Sequence, residues 1–154
     1  MTRQDFPPEA VLQKPLMADL ATASPDGPRH SPLWFLWEDA AIWLVGGEDD
    51  SFVRRLAAEP RCAVGVVHFD PAAGILLHVG IRGRATVGPM DPARFRRLLA
   101  KYLGPDESAW NPWFIREIAR IGDPAGRMIR LAPETIVAKN VSYFRTGPAL
   151  AIEP

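Results

Sequence analysis

One stretch, residues 19–61, limits what this chain can fold into more than any other part of the sequence. It holds three short apolar runs with turn residues between them: Asp19–Ala23, His30–Trp37 and Ala41–Val45, separated by Ser24–Pro28 and by Glu38-Asp39. Short runs rich in aromatic and β-branched residues, joined by tight turns, predict an antiparallel meander. Gly46-Gly47 then ends the third strand, and a helix is expected over Phe52–Ala58, stopped by Pro60.

The rest of the chain continues in short elements. Strands are expected at Cys62–Phe69, Ile75–Val87, Met128–Leu131 and Thr135–Ala138, with a bend or bulge at Gly80 and Gly83. Helices are expected at Pro8–Lys14, after the cap Asp91-Pro92, and at Ser108–Ile121, followed by a short tail from Thr146. About six strands, adjacent in sequence, and three or four helices favour an antiparallel barrel over the main alternative, an open α+β sandwich. Nothing divides the chain, so residues 1–154 are predicted to form one domain.

Charge and cysteine content narrow the function classes. Eighteen basic residues balance eighteen acidic ones, which gives no support for a nucleic-acid or polybasic membrane footprint. No run approaches the roughly 18 apolar residues of a membrane span, and the first residues lack the apolar core of a signal peptide. Cys62 is the single cysteine, which fits a reducing compartment. We therefore expect a cytoplasmic protein without a nucleic-acid or membrane partner.

Catalytic and metal motifs give no assignment. The sequence contains no nucleophile elbow, zinc-protease motif, phosphate loop or dinucleotide fingerprint. Its three histidines, His30, His68 and His78, lie on three different predicted strands with no carboxylate at ligand spacing, so no metal site is expected. Cys62 lies in an apolar run and is interpreted as a structural thiol. No catalytic residue is identified.

The corner Gly46–Leu56 has two interpretations. The main-chain amides at the start of the predicted helix, the hydroxyl of Ser51 and the charges of Arg54 and Arg55 could hold a phosphate. Alternatively, the arginines are a solvated pair on a surface helix, which the preceding acids Glu48-Asp49-Asp50 favour because they would repel an anion. The spacing alone does not separate these two interpretations.

The tryptophans of the same region also have two interpretations. Trp34, Trp37 and Trp43 lie on neighbouring predicted strands, and only one of Trp34 and Phe35 can face the barrel interior because side chains alternate along a strand. Aromatic residues here indicate either core or dimer packing, or a wall for a planar ring system.

Several of these segments together resemble a known family. The sequence is similar to the pyridoxamine 5′-phosphate oxidase-like flavin-binding split barrels over about residues 16–140. The matching segments are Leu20-Ala21-Thr22, Pro25 to Phe35, Ser51 to Leu56, Glu59 to Val64, Arg82 to Val87 and Tyr102-Leu103-Gly104. Each motif is weak alone, but their order and spacing are specific.

The resemblance implies a fold and a cofactor. The fold would be mainly β with peripheral helices, a six-stranded antiparallel split β-barrel that forms a homodimer with flavin sites in the subunit interface. The usual cofactor would be FMN, whereas one branch of the family binds a deazaflavin coenzyme and a few members bind haem. The implied activity is an FMN-dependent oxidoreductase acting on a small-molecule substrate. The alternatives are a deazaflavin-dependent reductase and a non-catalytic flavin- or haem-binding module.

The resemblance also implies positions for the cofactor. The second strand would run under the flavin ring, Val45 and Gly46 would lie near the phosphate, and the helix start would contact that phosphate. His78 would contact the ring, and Lys139 and Asn140 would approach the partner's flavin. The implied cofactor-binding residues are His30, Ser31, Pro32, Leu33, Trp34, Val45, Gly46, Ser51, Phe52, Arg54, Arg55, His78, Lys139 and Asn140.

Two departures from the family pattern matter. Phe52 stands where the family has a phosphate-binding lysine, so one cationic contact is missing unless Arg54 or Arg55 replaces it. The C-terminal arginine- and histidine-bearing motif of a true pyridoxamine phosphate oxidase is absent from Val141–Thr146. A role in vitamin B6 synthesis is therefore not predicted.

Overall fold

The computed structural model describes residues 3–120 and 124–143. Its strands are β1 Ala18–Thr22, β2 Arg29–Leu33, β3 Leu36–Glu38, β4 Ala41–Gly47, β5 Arg61–Asp70, β6 Ile75–Pro89 and β7 Gly126–Asn140. Its helices are α1 Glu9–Leu12, α2 Ser51–Ala58, α3 Pro92–Leu103 and α4 Pro112–Ala119, with a 3₁₀ turn at Glu107–Ala109. The predicted helix end at Ile121 and the tail from Thr146 lie outside the described residues. No helix in the described ranges is long and apolar enough to cross a membrane.

The strands form one antiparallel sheet whose two edges are neighbours in sequence. The strand order is β2-β1-β5-β6-β7-β4-β3, so β2 and β3 are opposite edges. Only Trp34 and Phe35 connect these edges. Three consecutive Cα steps span at most about 11 Å, so the sheet must curl until its edges nearly meet. The expected split barrel is therefore confirmed, and we call the connection Trp34-Phe35 the seam.

The strand count is seven rather than six, for a reason that the pairing explains. The predicted strand His30–Trp37 is two strands, because its first half pairs with β1 and its second half pairs with β4. At the other end of the chain, the two short strands predicted on either side of Pro133 are the single strand β7.

The bulge predicted at Gly83 is confirmed. The register between β6 and β7 shifts between Arg82 and Gly83, which pair with Thr135 and Pro133 and leave Glu134 as the extra residue. A Cβ on Gly83 would lie 2.0 Å from the carbonyl oxygen of Ala132, so the two backbones can approach this closely only at glycine. Gly80 pairs regularly with Gly65 and Val137.

One hydrophobic core fills the curled sheet. Alternate residues of the strands point inward, as in β1, where Ala18, Leu20 and Thr22 are buried and the residues between them are exposed. The helix α2 lies against the sheet and contributes Phe52, Val53 and Leu56 to the same core. Phe35 of the seam is fully buried, whereas its neighbour Trp34 is only half-buried.

The end of α3 fastens the seam. The Phe35 amide donates to the Tyr102 hydroxyl at 3.0 Å, and that hydroxyl donates to the Leu16 carbonyl at 2.7 Å. The Lys101 ammonium donates to the carbonyls of Leu12 at 2.8 Å and Phe35 at 3.0 Å, and it lies 3.4 Å from the centre of the Phe35 ring. Lys101 and Tyr102 of α3 therefore connect the end of α1 and the segment before β1 to the seam.

The buried Lys101 should make stability depend on pH. Burial lowers the pKa of Lys101 from 10.5 to about 7, so above about pH 7 the unfolded chain binds more protons at this residue than the folded chain does. We expect the free energy of unfolding to rise between about pH 7 and pH 8.5 in the natural protein and to rise less in Lys101→Met. Urea denaturation at both pH values measures this difference.

The exposed Lys14 provides the matched control, since Lys14→Met should retain the pH dependence of the natural protein. The upper limit of about pH 8.5 keeps the contribution of Cys62 small. Burial raises the pKa of Cys62 to about 11, so its titration lowers the free energy of unfolding at higher pH, which is the opposite sign. Equal pH dependence in Lys101→Met and Lys14→Met would contradict the assignment.

Candidate functional site

An apolar cavity lies between the barrel wall and the helices α3 and α4, beside the seam. It has a volume of about 400 Å³, within the range of small-molecule sites. We call it the aromatic groove. It is lined by Leu33, Trp34, Val45, Asp50, Phe95, Leu98, Leu99, Trp113, Phe114 and Glu117. A second cavity of about 260 Å³ shares Val45, Phe95 and Glu117 with it and extends along Gly46 and Gly47. The two cavities form a continuous depression along β4.

A stack of four aromatic rings crosses the groove. Trp34 stacks on Tyr102 with ring centres 4.4 Å apart and planes inclined by 8°. Phe114 stacks on Trp34 at 5.7 Å, and Trp113 meets Phe114 edge-on at 5.0 Å. Offset stacking and edge contacts are the favourable geometries for aromatic pairs. This stack of rings runs from the buried seam to the surface of α4. Trp34 is therefore part of a wall beside a cavity rather than part of the core.

A polar cluster with one positive charge, that of Arg55, lies two residues along β2 from the groove. The Arg55 Nε donates to the Thr22 hydroxyl at 2.8 Å, and a terminal nitrogen of Arg55 lies 3.5 Å from the Ser31 hydroxyl. Arg55 is half-buried and Thr22 is buried. We call these three residues the arginine shelf. Because strand side chains alternate, Ser31 and Leu33 lie on the same side of β2, about 7 Å apart along the strand.

The two arginines of α2 therefore have different environments. Arg54 is exposed and forms an ion pair with Asp49 at 3.1 Å, which matches the interpretation of a solvated surface residue. Arg55 points to the barrel edge, where hydroxyl groups of β1 and β2 meet it. The sequence did not distinguish these two neighbours.

The acidic residues before α2 do not all point away from the groove. Glu48 forms an ion pair with Arg127 at 2.8 Å. Asp50 accepts a hydrogen bond from the Gly47 amide at 2.7 Å and lines the groove. A carboxylate at the helix start disfavours a phosphate there, so the arginine shelf is the better anion site. Ser51 is exposed at the first residue of the helix.

Phe52 does not offer its side chain to a ligand. The ring is 7% exposed and packs in the core, directly beneath Gly46. A Cβ on Gly46 would lie 2.7 Å from the end of the Phe52 ring and 2.8 Å from a Val53 methyl group. Only the main-chain amide of Phe52 remains available, and Gly46 is required because the helix approaches the strand so closely.

The remaining sequence-predicted residues lie on the opposite surface of the sheet. The exposed His30 ring lies within hydrogen-bond distance of the Asp19 carboxylate at 3.1 Å, and the His78 ring lies against Gly65 and Gly80. A shallow cavity of about 430 Å³ occupies this surface, which we call the outer face. It is lined by Asp19, Ala21, Ala63, Val64, Gly65, His78, Gly80, Ile81, Arg82, Thr135, Val137 and Lys139. Pro32 alternates with Ser31 and also faces this side of β2.

Asn140 has a structural contact at the end of β7. Its side-chain oxygen accepts hydrogen bonds from the amide of Ser142 at 3.1 Å and from the Ser142 hydroxyl at 2.6 Å. Its main-chain amide donates to the Asp5 carboxylate at 2.9 Å. The side-chain oxygen of Asn140 is thus already engaged within the chain.

Ten of the fourteen sequence-predicted residues thus fall into two groups within one chain, and the other four, Ser51, Phe52, Arg54 and Asn140, belong to neither. Leu33, Trp34, Val45 and Gly46 line the groove or its extension, and Ser31 and Arg55 form the shelf with Thr22. His78 and Lys139 line the outer face instead. The sequence missed Thr22, Phe95, Phe114 and Glu117. For Phe95 and Phe114 the signal was helical apolar spacing, which does not tell a core contact from a cavity wall, and Thr22 and Glu117 gave no signal of this kind.

Metal and thiol chemistry find no support in the described ranges. Within residues 3–120 and 124–143, no three histidine, cysteine or carboxylate side chains are grouped as metal ligands. His68 lies two residues after buried Val66 on β5 and therefore on the inner side of the strand, whereas His30 and His78 face outward. Burial raises the pKa of the Cys62 thiol to about 11, which favours the protonated thiol over the nucleophilic thiolate at neutral pH.

Comparison with known proteins places the fold. The sequence model of a family described as pyridoxamine 5′-phosphate oxidase matches residues 9–140. A structure named F420 Reductase is 25% identical, with a TM-score of 0.62, covering 83% of this chain and 94% of its own. A conserved hypothetical protein from Mycobacterium tuberculosis is 18% identical with a TM-score of 0.71, covering 96% and 98% of the two chains.

A third similar structure is a FAD-binding protein from Mesorhizobium loti, which is 19% identical with a TM-score of 0.61. The match covers 86% of this chain and 91% of that one. No functionally curated protein matches the sequence.

We expect the two adjacent glycines of β4, Gly46 and Gly47, to differ in how well they tolerate substitution. Gly46→Ala should lower the free energy of unfolding by about 1–3 kcal/mol, because its methyl group would overlap Phe52 and Val53. Gly47→Ala is the matched control and should change stability by less than about 0.5 kcal/mol, since its nearest neighbour lies 3.8 Å away. Urea denaturation measures both variants, and equal costs would show that the close approach at Gly46 is not a constraint.

Proposed function

The chain belongs to the pyridoxamine 5′-phosphate oxidase family, and we propose that it is a homodimeric FMN-dependent oxidoreductase with a small-molecule substrate. One observation supports this proposal above the others. A half-buried arginine contacts the hydroxyl groups of Thr22 and Ser31, and Ser31 lies about 7 Å along β2 from Leu33, which lines an apolar groove with an aromatic wall. A phosphorylated planar cofactor requires this arrangement, with an anion site at one end and an apolar ring site at the other.

The arginine shelf has the chemistry of a phosphate site. The described residues occupy two of the five N–H groups of Arg55, and the remaining ones are free to donate to phosphate oxygens. The hydroxyl groups of Thr22 and Ser31 accept from Arg55 and can each donate their own proton. Bonds between a guanidinium and a phosphate are charge-assisted, and partial burial reduces their screening. In this proposal Arg55 supplies the cation that Phe52 does not.

The groove has the chemistry of a ring site. Leu33, Trp34 and Val45 offer apolar contact on the barrel side, and main-chain groups of β2 and Gly46 can meet the polar edge of a ring. Bound FMN would supply hydride or electron transfer, and the groove would hold the ring and exclude water. No side chain of the groove is assigned as a proton donor or acceptor.

The separation of the site residues supports a homodimer. His78 and Lys139 lie on the outer face, away from the groove of their own chain. The floor of that face consists of small residues, Ala21, Ala63, Gly65 and Gly80, over which another surface can approach closely. Val67 and Phe69 beside it are 46% and 55% exposed, which is typical of apolar contact surfaces. We propose that the outer face of one protomer completes the cofactor site of its partner.

A deazaflavin-dependent reductase is the second candidate. The similarity at 25% identity to a structure named F420 Reductase favours it, and so does the absence of a lysine at position 52. Both cofactors would use the same groove. The difference would lie in what the shelf binds beyond the ring.

The absorbance spectrum of the purified protein separates these candidates. FMN should give paired blue and near-ultraviolet bands, whereas a deazaflavin lacks that pair. Size-exclusion chromatography with light scattering should give twice the chain mass. A monomer that takes up neither cofactor would contradict the proposal. A flavin-loaded dimer that passes no electrons from NADH or NADPH to artificial acceptors would instead be a binding module.

The two arginines of α2 make a matched pair for testing the phosphate site. Arg55→Ala should weaken FMN binding by about 1–3 kcal/mol, because it removes charge-assisted bonds to the phosphate. Arg54→Ala should change the affinity little, since Arg54 is paired with Asp49 at the surface. Titration with riboflavin provides the second control, because a ligand without phosphate should bind both variants equally well. Unchanged FMN affinity in Arg55→Ala would place the phosphate elsewhere.

A further inference from the structure

The helix α4 is unusual because it is apolar and yet buries none of its residues. Of Pro112–Ala119, only Arg116 and Glu117 are charged. None of the eight residues is buried, and Trp113 and Ile115 are 52% and 42% exposed. A surface helix normally buries its apolar stripe against the core. Exposed apolar side chains beside a cavity therefore indicate a binding surface.

The contact of α4 with the barrel is mainly aromatic and lies over the groove. Phe114 stacks on Trp34 at 5.7 Å, and Trp113 meets Phe114 at 90° with its own ring half in solvent. Both rings line the cavity of about 400 Å³. A planar molecule that enters this cavity can stack on the exposed ring of Trp113 on the α4 side, which leaves the barrel wall of Leu33, Trp34 and Val45 to the cofactor ring of the proposed function.

Although Arg120 lines the adjoining cavity, the charged side chains that line this cavity are acidic. Its charged lining residues are Asp50 and Glu117, and neither arginine nor lysine is among the described residues that line it. Glu117 is paired with Arg120 at 3.0 Å, whereas Asp50 accepts only a neutral amide hydrogen in the contacts described above. An anionic group next to Asp50 would be repelled, and Arg120, the cation of the adjoining cavity, is already paired with Glu117.

We propose, on the basis of the function proposed above, that the substrate is a planar apolar compound, neutral or cationic. It stacks on Trp113 and Phe114, and Asp50 excludes anionic analogues. Trp113 is then a specificity-determining residue, and α4 is the element that selects the substrate. The arginine shelf, which lies outside this cavity, remains free for the cofactor phosphate.

Three naphthalene derivatives with the same ring position test the charge preference. Calorimetric titration of the full-length protein, as purified, compares naphthalene-methanol, naphthalene-methylamine and naphthalene-sulfonate. The neutral and cationic compounds should bind at least about tenfold more tightly than the sulfonate. Equal or tighter binding of the sulfonate would overturn the proposal.

Paired variants test the residues. Trp113→Ala should weaken the binding of naphthalene-methanol about tenfold, while Trp113→Phe keeps most of the affinity and Ile115→Ala, on the same helix but outside the cavity, keeps all of it. Asp50→Asn, which preserves an acceptor for Gly47, should improve sulfonate binding. The nearby Asp49→Asn should not, because Asp49 faces Arg54. Unchanged ring binding in Trp113→Ala, with or without dissociation to monomers, would show that α4 serves another purpose, such as contact with a second copy of the chain.

The outcome is distinguishable from that of the proposed function. A protein that binds no flavin but keeps the charge preference and its dependence on Trp113 contradicts the oxidoreductase proposal and supports this ring site. A protein that binds FMN through Arg55 but takes the sulfonate as well as the alcohol contradicts this inference alone.

Discussion

The fold depends on one short connection, Trp34-Phe35, which joins the two edges of the sheet. Two residues cannot bridge opposite edges of a flat seven-stranded sheet, because neighbouring strands are about 4.8 Å apart. The sheet therefore curls, and its interior becomes the core. Since β2 and β3 do not pair with each other, the backbone groups of the seam need other partners. Lys101 and Tyr102 provide them, which explains why two polar side chains are partly buried at the end of α3.

The seam also creates the groove. Successive side chains of an extended segment point to opposite sides, so burying Phe35 directs Trp34 outward. Tyr102 serves both sides of this arrangement, because its hydroxyl holds the seam backbone while its ring stacks on Trp34. The position of the aromatic wall is therefore fixed by the same residues that close the barrel. The aromatic wall of Trp34 and Tyr102 is held by the seam, whereas α4 buries none of its residues. This suits a site in which the wall is preorganised and α4 selects the ligand.

Local signals in the sequence predicted the individual strands and helices better than the way in which they pair and pack. The cap at Asp91-Pro92, the helix before Pro60 and the bulge at Gly83 follow from residue types at single positions, and the structure has all three. The division of His30–Trp37 could not be predicted, because it depends on partners far away in the chain. Likewise, Arg54 and Arg55 are equivalent in the sequence. They differ only because residue 55 faces Thr22, which lies 33 positions earlier.

The departure at position 52 has a physical explanation in the packing of α2. Positions 52 and 55 lie one turn apart on neighbouring parts of the helix surface, and the helix approaches β4 so closely that Gly46 has no room for a methyl group. At that distance the side chain at position 52 contacts the core, where phenylalanine is stabilising and an unpaired ammonium would be costly. A cation one turn later avoids this cost, because Arg55 reaches the hydroxyl groups at the barrel edge. On the proposed function, the loss of a lysine and the position of Arg55 are thus two consequences of the same close packing.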